Sequence, residues 1–185
     1  KEMTATSPDT VIKVVFTPWD TPREVYEKLN AKIEEVKNTP LDSGFDNLAK
    51  LINAIPGVFL KCTIWFLKLL DYFGLLPRAI TQLSPFHGSL FITSMGSLGI
   101  PPIFHHLYDF GNVPVFCAFG AKYSRMELDA DGNPVPRKYM DYTFVTDERI
   151  CDGFYFASAL KNIRRLLAHP EKMDKAPNKI VPDID

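Results

Sequence analysis

The sequence has no surplus of charge of either sign. Its 185 residues carry 21 Lys and Arg against 22 Asp and Glu, a formal net charge of -1. General nucleic-acid binders draw on a basic surplus, so that class is excluded. Cysteine is scarce as well: Cys62, Cys117 and Cys151 are widely spaced and form no CxxC pair. That leaves neither a zinc ligand set nor a disulfide framework, and a reducing, cytoplasmic setting is expected with no metal. There is no P-loop, no GxSxG elbow, no HExxH pair and no internal repeat. Gly96-Ser-Leu-Gly99 follows a short apolar run, but Ile100-Pro101-Pro102 forbids the helix that would hold a phosphate there. The first ten residues, KEMTATSPDT, are polar and show no signal-peptide pattern. A start at Lys rather than Met is expected to mark an incomplete chain.

The composition otherwise supports a folded domain. Hydrophobic residues make up 46% and charged residues 23%, which excludes wholesale disorder. The length predicts a single domain over 1–185. Val11–Phe16 is short and β-branched, so it reads as a strand. Thr21-Pro22-Arg23-Glu24 is a capping box with proline at the first helical position. Val25, Leu29, Ile33 and Val36 then recur at helical spacing, and the helix is expected to end near Asn38.

Residues 39–86 differ in character. Phe45–Ile55 is a weaker helical pattern, broken by Pro56-Gly57. Val58–Phe73 is nearly all apolar, and Lys61, Lys68 and Asp71 fall on one narrow stripe at about 100° per residue. The run of about 16 residues is short of the ~20 that a membrane span needs. It predicts a helix buried against the protein or a neighbouring subunit, or one lying on a membrane surface. Residues 79–108 carry no Asp, Glu, Lys or Arg, and prolines and glycines interrupt them. Within them Ser89–Ser94 reads as a buried strand, and Val113–Phe119 as another. Asp129–Asn133 is expected to turn a hairpin between Tyr123–Leu128 and Pro136–Val145. It lacks the spacing and terminal glutamate of an EF-hand loop. Phe154–Leu167 is the last helix, and 170–185 form a polar tail. The order predicts an α/β (α+β layered) protein, with a mixed sheet, flanking helices and a helical insertion at 39–86.

Two segments narrow the function. Leu90-Phe-Ile-Thr-Ser-Met-Gly-Ser-Leu-Gly-Ile100 and Thr146-Asp-Glu-Arg-Ile-Cys-Asp-Gly-Phe-Tyr-Phe-Ala157 occur in that order. Together they resemble the catalytic domain of 2-oxo acid dehydrogenase acyltransferases (the E2 component) and, by fold, chloramphenicol acetyltransferase. That family reads like FTISNLGxxG in the first segment and DHRxxDGxxxAxFL in the second. Thr93 stands at the family's serine or threonine, Ser94 at its asparagine, and Gly96 and Gly99 at its glycines. Asp147, Arg149, Asp152 and Gly153 match the second motif. The resemblance extends back through Val11–Asn38 and leaves out only 39–86. Two departures stand out. Glu148 occupies the position of the catalytic histidine, and the family's domain begins well before residue 1, with a helix and strands that have no counterpart in this sequence.

The resemblance implies acyl transfer between coenzyme A and a thiol or hydroxyl acceptor, in a homotrimer whose sites lie between subunits, with a lipoyl-domain partner. It implies that Thr93 donates its hydroxyl to the oxyanion, worth about 2.7–4 kcal/mol. Asp152 would hold the turn into the last helix, and Gly153 would let the chain turn there. The base would be Glu148, or His105 or His106 from an adjacent segment; Ser94, His105 and His106 are expected on the substrate side. Histidine starts near a pKa of about 6.5 and glutamate near about 4.3, against a thiol near about 8.5. The extra mismatch of about two units corresponds to roughly 3 kcal/mol if fully expressed, and burial would recover part of it. Three readings follow: a working transferase, an inactive trimeric scaffold or binding protein of the same fold, and a membrane-surface protein anchored by Val58–Phe73. His105-His106 are otherwise loop or interface residues, Cys151 a buried small hydrophobe. Asp174-Lys175-Ala176 is similar to a lipoyl-lysine tripeptide but sits in the polar tail rather than at a hairpin tip.

Overall fold

Helix α1, Pro22–Asn38, starts where its capping residues stand. The Thr21 N–H and hydroxyl both donate to Glu24 Oε2, at 2.7 and 2.8 Å. Val25 N–H closes the first turn on Thr21 O at 2.9 Å. The glutamate thus meets an orphan donor at the positive end of the helix. The computed structural model describes residues 11–38 and 54–180. Contacts divide these into two units: residues up to Pro85 together with those from Phe156 onward, and Phe86–Tyr155 between them.

In the first unit Val11–Phe16 forms no strand. β-branched residues favour a pleated ladder only where a neighbour supplies hydrogen bonds, and Val15 is 77% exposed. Lys13 anchors the segment instead. Its Nζ donates to Thr81 O at 2.6 Å and Ser84 O at 3.1 Å, carbonyls at the C-terminal end of a short helix, α3, Arg78–Leu83. A cation there complements the helix dipole, and burial lowers the lysine's pKa. Helix α3 falls within the helical insertion expected at 39–86, where the sequence pattern marks no separate helix at 78–83. Helix α2, Gly57–Tyr72, matches its expected span. The weaker helical pattern at 45–55 lies largely outside the described residues. Helix α4, Gly153–Ala168, precedes a single 3-10 turn, Pro170–Met173.

The second unit carries a three-stranded mixed sheet in the order β1-β2-β3. The strands are β1, Phe91–Ser94, β2, Val115–Leu128, and β3, Pro134–Thr146. β1 runs parallel to β2, and β2 antiparallel to β3. The protein is therefore mixed α/β, with helices before and after the sheet in the chain. The core sits on β2, where Phe116, Cys117 and Ala118 are buried. β1 is shorter than expected and only half covered, with Ile92 56% exposed, because an edge strand has one neighbour. The two runs 113–119 and 123–128 are one strand, shifted in register between Phe119 and Lys122. Gly120 lies in that irregularity for a steric reason. A Cβ there would sit 2.5 Å from Pro102 Cδ and 2.8 Å from Pro102 N, so only glycine lets Pro101-Pro102 cross so closely. The hairpin turn forms as expected, with Asp129 Oδ1 accepting from the Asp131 and Asn133 N–H groups at 2.9 and 2.8 Å.

Candidate functional site

All six candidate residues lie in the second unit. Thr93 sits on β1 opposite Ala118, which lies opposite Thr143. Side chains alternate along a strand, so Thr93 shares a face with Phe91, Phe116 and Ala118, whereas Ser94 points to the other. The two cannot line one patch of this sheet. Thr93 is half-buried, and its hydroxyl has no partner among the described residues. It is a donor without an assigned acceptor, which is what an oxyanion needs. Ser94 Oγ is engaged locally, accepting from Gly96 N–H at 3.3 Å. The chain then winds through a 3-10 turn, Gly96–Leu98, and Gly99 closes it at a φ of 70°. This left-handed conformation gives the motif's second glycine its physical role.

Residues 101–110 run over the Thr93 face. Thr143 Oγ1 donates to Ile103 O at 2.6 Å. The His105 ring stacks on Phe116 at a centroid distance of 4.3 Å with planes within 7°, and Phe116 stacks on Phe91 at 5.2 Å. His105 Nδ1 lies 2.5 Å from His106 O. A carbonyl only accepts, so the contact selects the tautomer that carries its proton on Nδ1 and its lone pair on Nε2. Of the three candidate bases, His105 is the one that one chain brings to the face of Thr93. His106 is exposed.

Glu148 lies elsewhere. It sits in the turn after β3, exposed and without a partner among the described residues. Asp147 N–H donates to Pro114 O at 2.9 Å, one step past the Val115–Thr146 pair. From Thr93 to Asp147 is about four residues along the strands at ~3.3 Å each and two strand spacings of ~4.8 Å across, about 16 Å in all. One chain therefore does not place Thr93 and Glu148 on the same reacting carbon. Glu148 is also exposed rather than buried in one chain.

The residues around Glu148 hold the turn. Arg149 Nε donates to both Asp147 oxygens at 3.0 and 2.9 Å, and the Arg149 N–H donates to Oδ1 at 2.9 Å. These bonds hold the Asp147 carboxyl below the usual carboxylate range. Asp152 Oδ1 accepts the Tyr155 N–H at 2.8 Å, which makes Asp152 the N-cap of α4. Its role in one chain is to start that helix. Cys151 is half-buried, and burial raises the pKa of the more deeply placed Cys117.

Sequence reasoning missed the steric demand at Gly120 and the hold of Thr143 on Ile103. A glycine inside a β-branched and aromatic run was the available signal for the first. The second joins residues 40 positions apart and left no local trace. The thioester end of an acyl-coenzyme A would call for a free donor such as the Thr93 hydroxyl. The phosphates call for cations, and residues 79–108 supply no Lys or Arg, while Arg149 is bound to Asp147. Among the described residues no group of three His, Cys, Asp or Glu is placed to hold a metal ion, and no helix is long and apolar enough to cross a membrane. No family model matches the chain, and no curated protein shows significant similarity to it.

Proposed function

We propose that the chain is an acyltransferase related to the E2 catalytic domain and chloramphenicol acetyltransferase, moving an acyl group between coenzyme A and a thiol or hydroxyl acceptor. The observation that carries this reading is Thr93. Its hydroxyl is half-buried, unpartnered among the described residues, and set at the end of an edge strand, within the motif that resembles the family's oxyanion donor. The separation of about 16 Å from the 147–150 turn supports a site completed by a second copy, as in a homotrimer. A lipoyl domain is the partner that the resemblance offers.

The acceptor S–H or O–H gives its proton to the base as its sulfur or oxygen bonds to the thioester carbonyl carbon. Thr93 donates to the oxyanion so formed. The tetrahedral intermediate then expels the coenzyme A sulfur, which takes the proton back from the base. The base is Glu148 from a second copy, whose approach would bury it, or His105 Nε2 from the same chain.

The second reading is an inactive scaffold or binding protein of the same fold. The exposure of Glu148 favours it. A thiol-release assay separates the two, with acetyl-coenzyme A as donor and dihydrolipoamide or chloramphenicol as acceptor. Turnover abolished by Glu148→Gln assigns that base, and turnover abolished by His105→Gln assigns the other. A silent native chain with activity in Glu148→His means a scaffold that lost catalysis at one position. Silence from all of them overturns the transferase reading.

A further inference from the structure

Helix α2 belongs to the first unit and carries none of the residues of the proposed site, and it exposes an apolar face that none of the described residues buries. At about 100° per residue, Leu60, Thr63, Leu67 and Leu70 form one side; all four are half-buried. The opposite arc, about 140° wide, carries Val58, Phe59, Trp65, Phe66, Leu69 and Tyr72, exposed by 75, 68, 64, 53, 37 and 84%. Phe73 and Leu75 extend the patch past the end of the helix, 63 and 65% exposed. This is a contiguous run of large apolar side chains in water, not the scattered exposure that any surface shows.

The charges around the arc identify its occupant. Lys61 and Lys68 are exposed along one edge, with Asp71 of the same stripe beyond them on the side away from the arc, so no acidic side chain falls on the arc or between it and the lysines. Tyr72 and Trp65 are the arc residues nearest the lysines, while Leu69, Phe66 and Phe59 lie further round. Cations outermost, then Tyr and Trp, then aliphatic and Phe side chains, is the order in which a bilayer passes from anionic headgroups to hydrocarbon. At 1.5 Å per residue the helix is about 24 Å long, short of the ~30 Å hydrocarbon core, so it would lie in the surface rather than cross. We infer that α2 docks the protein on an anionic lipid surface, with its Trp65–Phe66 face in the acyl boundary and Lys61 and Lys68 at the headgroups.

The test is co-sedimentation of the full chain with vesicles of phosphatidylcholine alone, and with phosphatidylserine added. A Trp19→Phe background makes Trp65 the sole tryptophan, and its emission is expected to shift to the blue on the mixed vesicles. Lys61→Gln with Lys68→Gln is expected to weaken binding to those vesicles about 25-fold, from the ordinary strength of a lysine near an anionic surface. Trp65→Ser with Phe66→Ser is expected to abolish it, with an unchanged circular dichroism spectrum, because both residues are exposed. Failure to sediment with either vesicle overturns the inference. So does binding that ignores the lysines, and so does light scattering in which Trp65→Ser with Phe66→Ser dissociates an oligomer, since a second copy would then own the face.

Discussion

Replacing Gly120 with alanine tests how the chain is laid over the Thr93 face. The new methyl carbon would lie 2.5 Å from Pro102 Cδ, 2.8 Å from Pro102 N and 3.3 Å from Pro101 C. Backbone and a proline ring cannot swing aside as a lysine tip can, so the 101–102 segment must shift by about an ångström or β2 must distort. Overpacking of this kind costs about 1–3 kcal/mol, and Gly120 is buried, which places the value in the upper half. The shift carries Ile103 and His105 with it, so the Thr143–Ile103 hydrogen bond is weakened too. Gly88→Ala is the matched control, because its Cβ meets nothing within 4 Å and its φ is not in the left-handed region. Urea unfolding followed by fluorescence and by far-ultraviolet dichroism measures both variants. Gly120→Ala is expected to lose about 2 kcal/mol, while Gly88→Ala stays within about 0.5 kcal/mol of the parent. Equal stability of the two would refute the close crossing of Pro101-Pro102.

Other outcomes follow from the same geometry. Asp152→Ala removes the N-cap of α4 and is expected to cost about 1 kcal/mol, with Asp152→Asn nearly neutral; equal losses in urea melts would mean that the charge, not the cap, matters. Lys28 and the hydroxyl and N–H of Thr17 lower the Asp20 pKa from 3.8 to about 2. A depressed carboxylate lends stability that is present above its unfolded pKa and lost as pH falls through its folded one. The native chain should therefore lose an increment between about pH 4 and pH 2 that Asp20→Asn lacks, read as urea midpoints along a pH series. Among the cysteines, Cys62 is exposed and Cys117 is 2% exposed with a raised pKa. A disulfide reagent should modify Cys62 rapidly in the native protein and reach Cys117 only on unfolding.

Much of the fold was legible because it depends on local chemistry. Thr21 and Glu24 mark the start of α1, Pro56-Gly57 marks that of α2, and Asp129–Asn133 marks the hairpin. Each signal is a capping or turn preference written within a few residues. What was not legible depends on who sits next to whom. Val11–Phe16 has the residues of a strand and no ladder to join. Ser89–Ser94 has the residues of a buried strand but lies at an edge. The 113–119 and 123–128 runs read as separate because Gly120 interrupts the pattern, yet the same glycine lets one strand continue under Pro102. The candidate site divides in the same way. The N-cap role of Asp152 is local and readable. The separation of Thr93 from Glu148, and the arrival of His105 over Phe116, follow from a sheet register that no short motif states.

The claim that the site is shared between copies has one direct test. Thr93→Ala and Glu148→Gln chains, each silent alone, are unfolded together, refolded as mixed oligomers and assayed for thiol release from acetyl-coenzyme A. If Thr93 of one copy serves Glu148 of the next, random mixing restores about a quarter of the native sites. Mixtures as silent as their parents, beside an active native chain, would contradict the account.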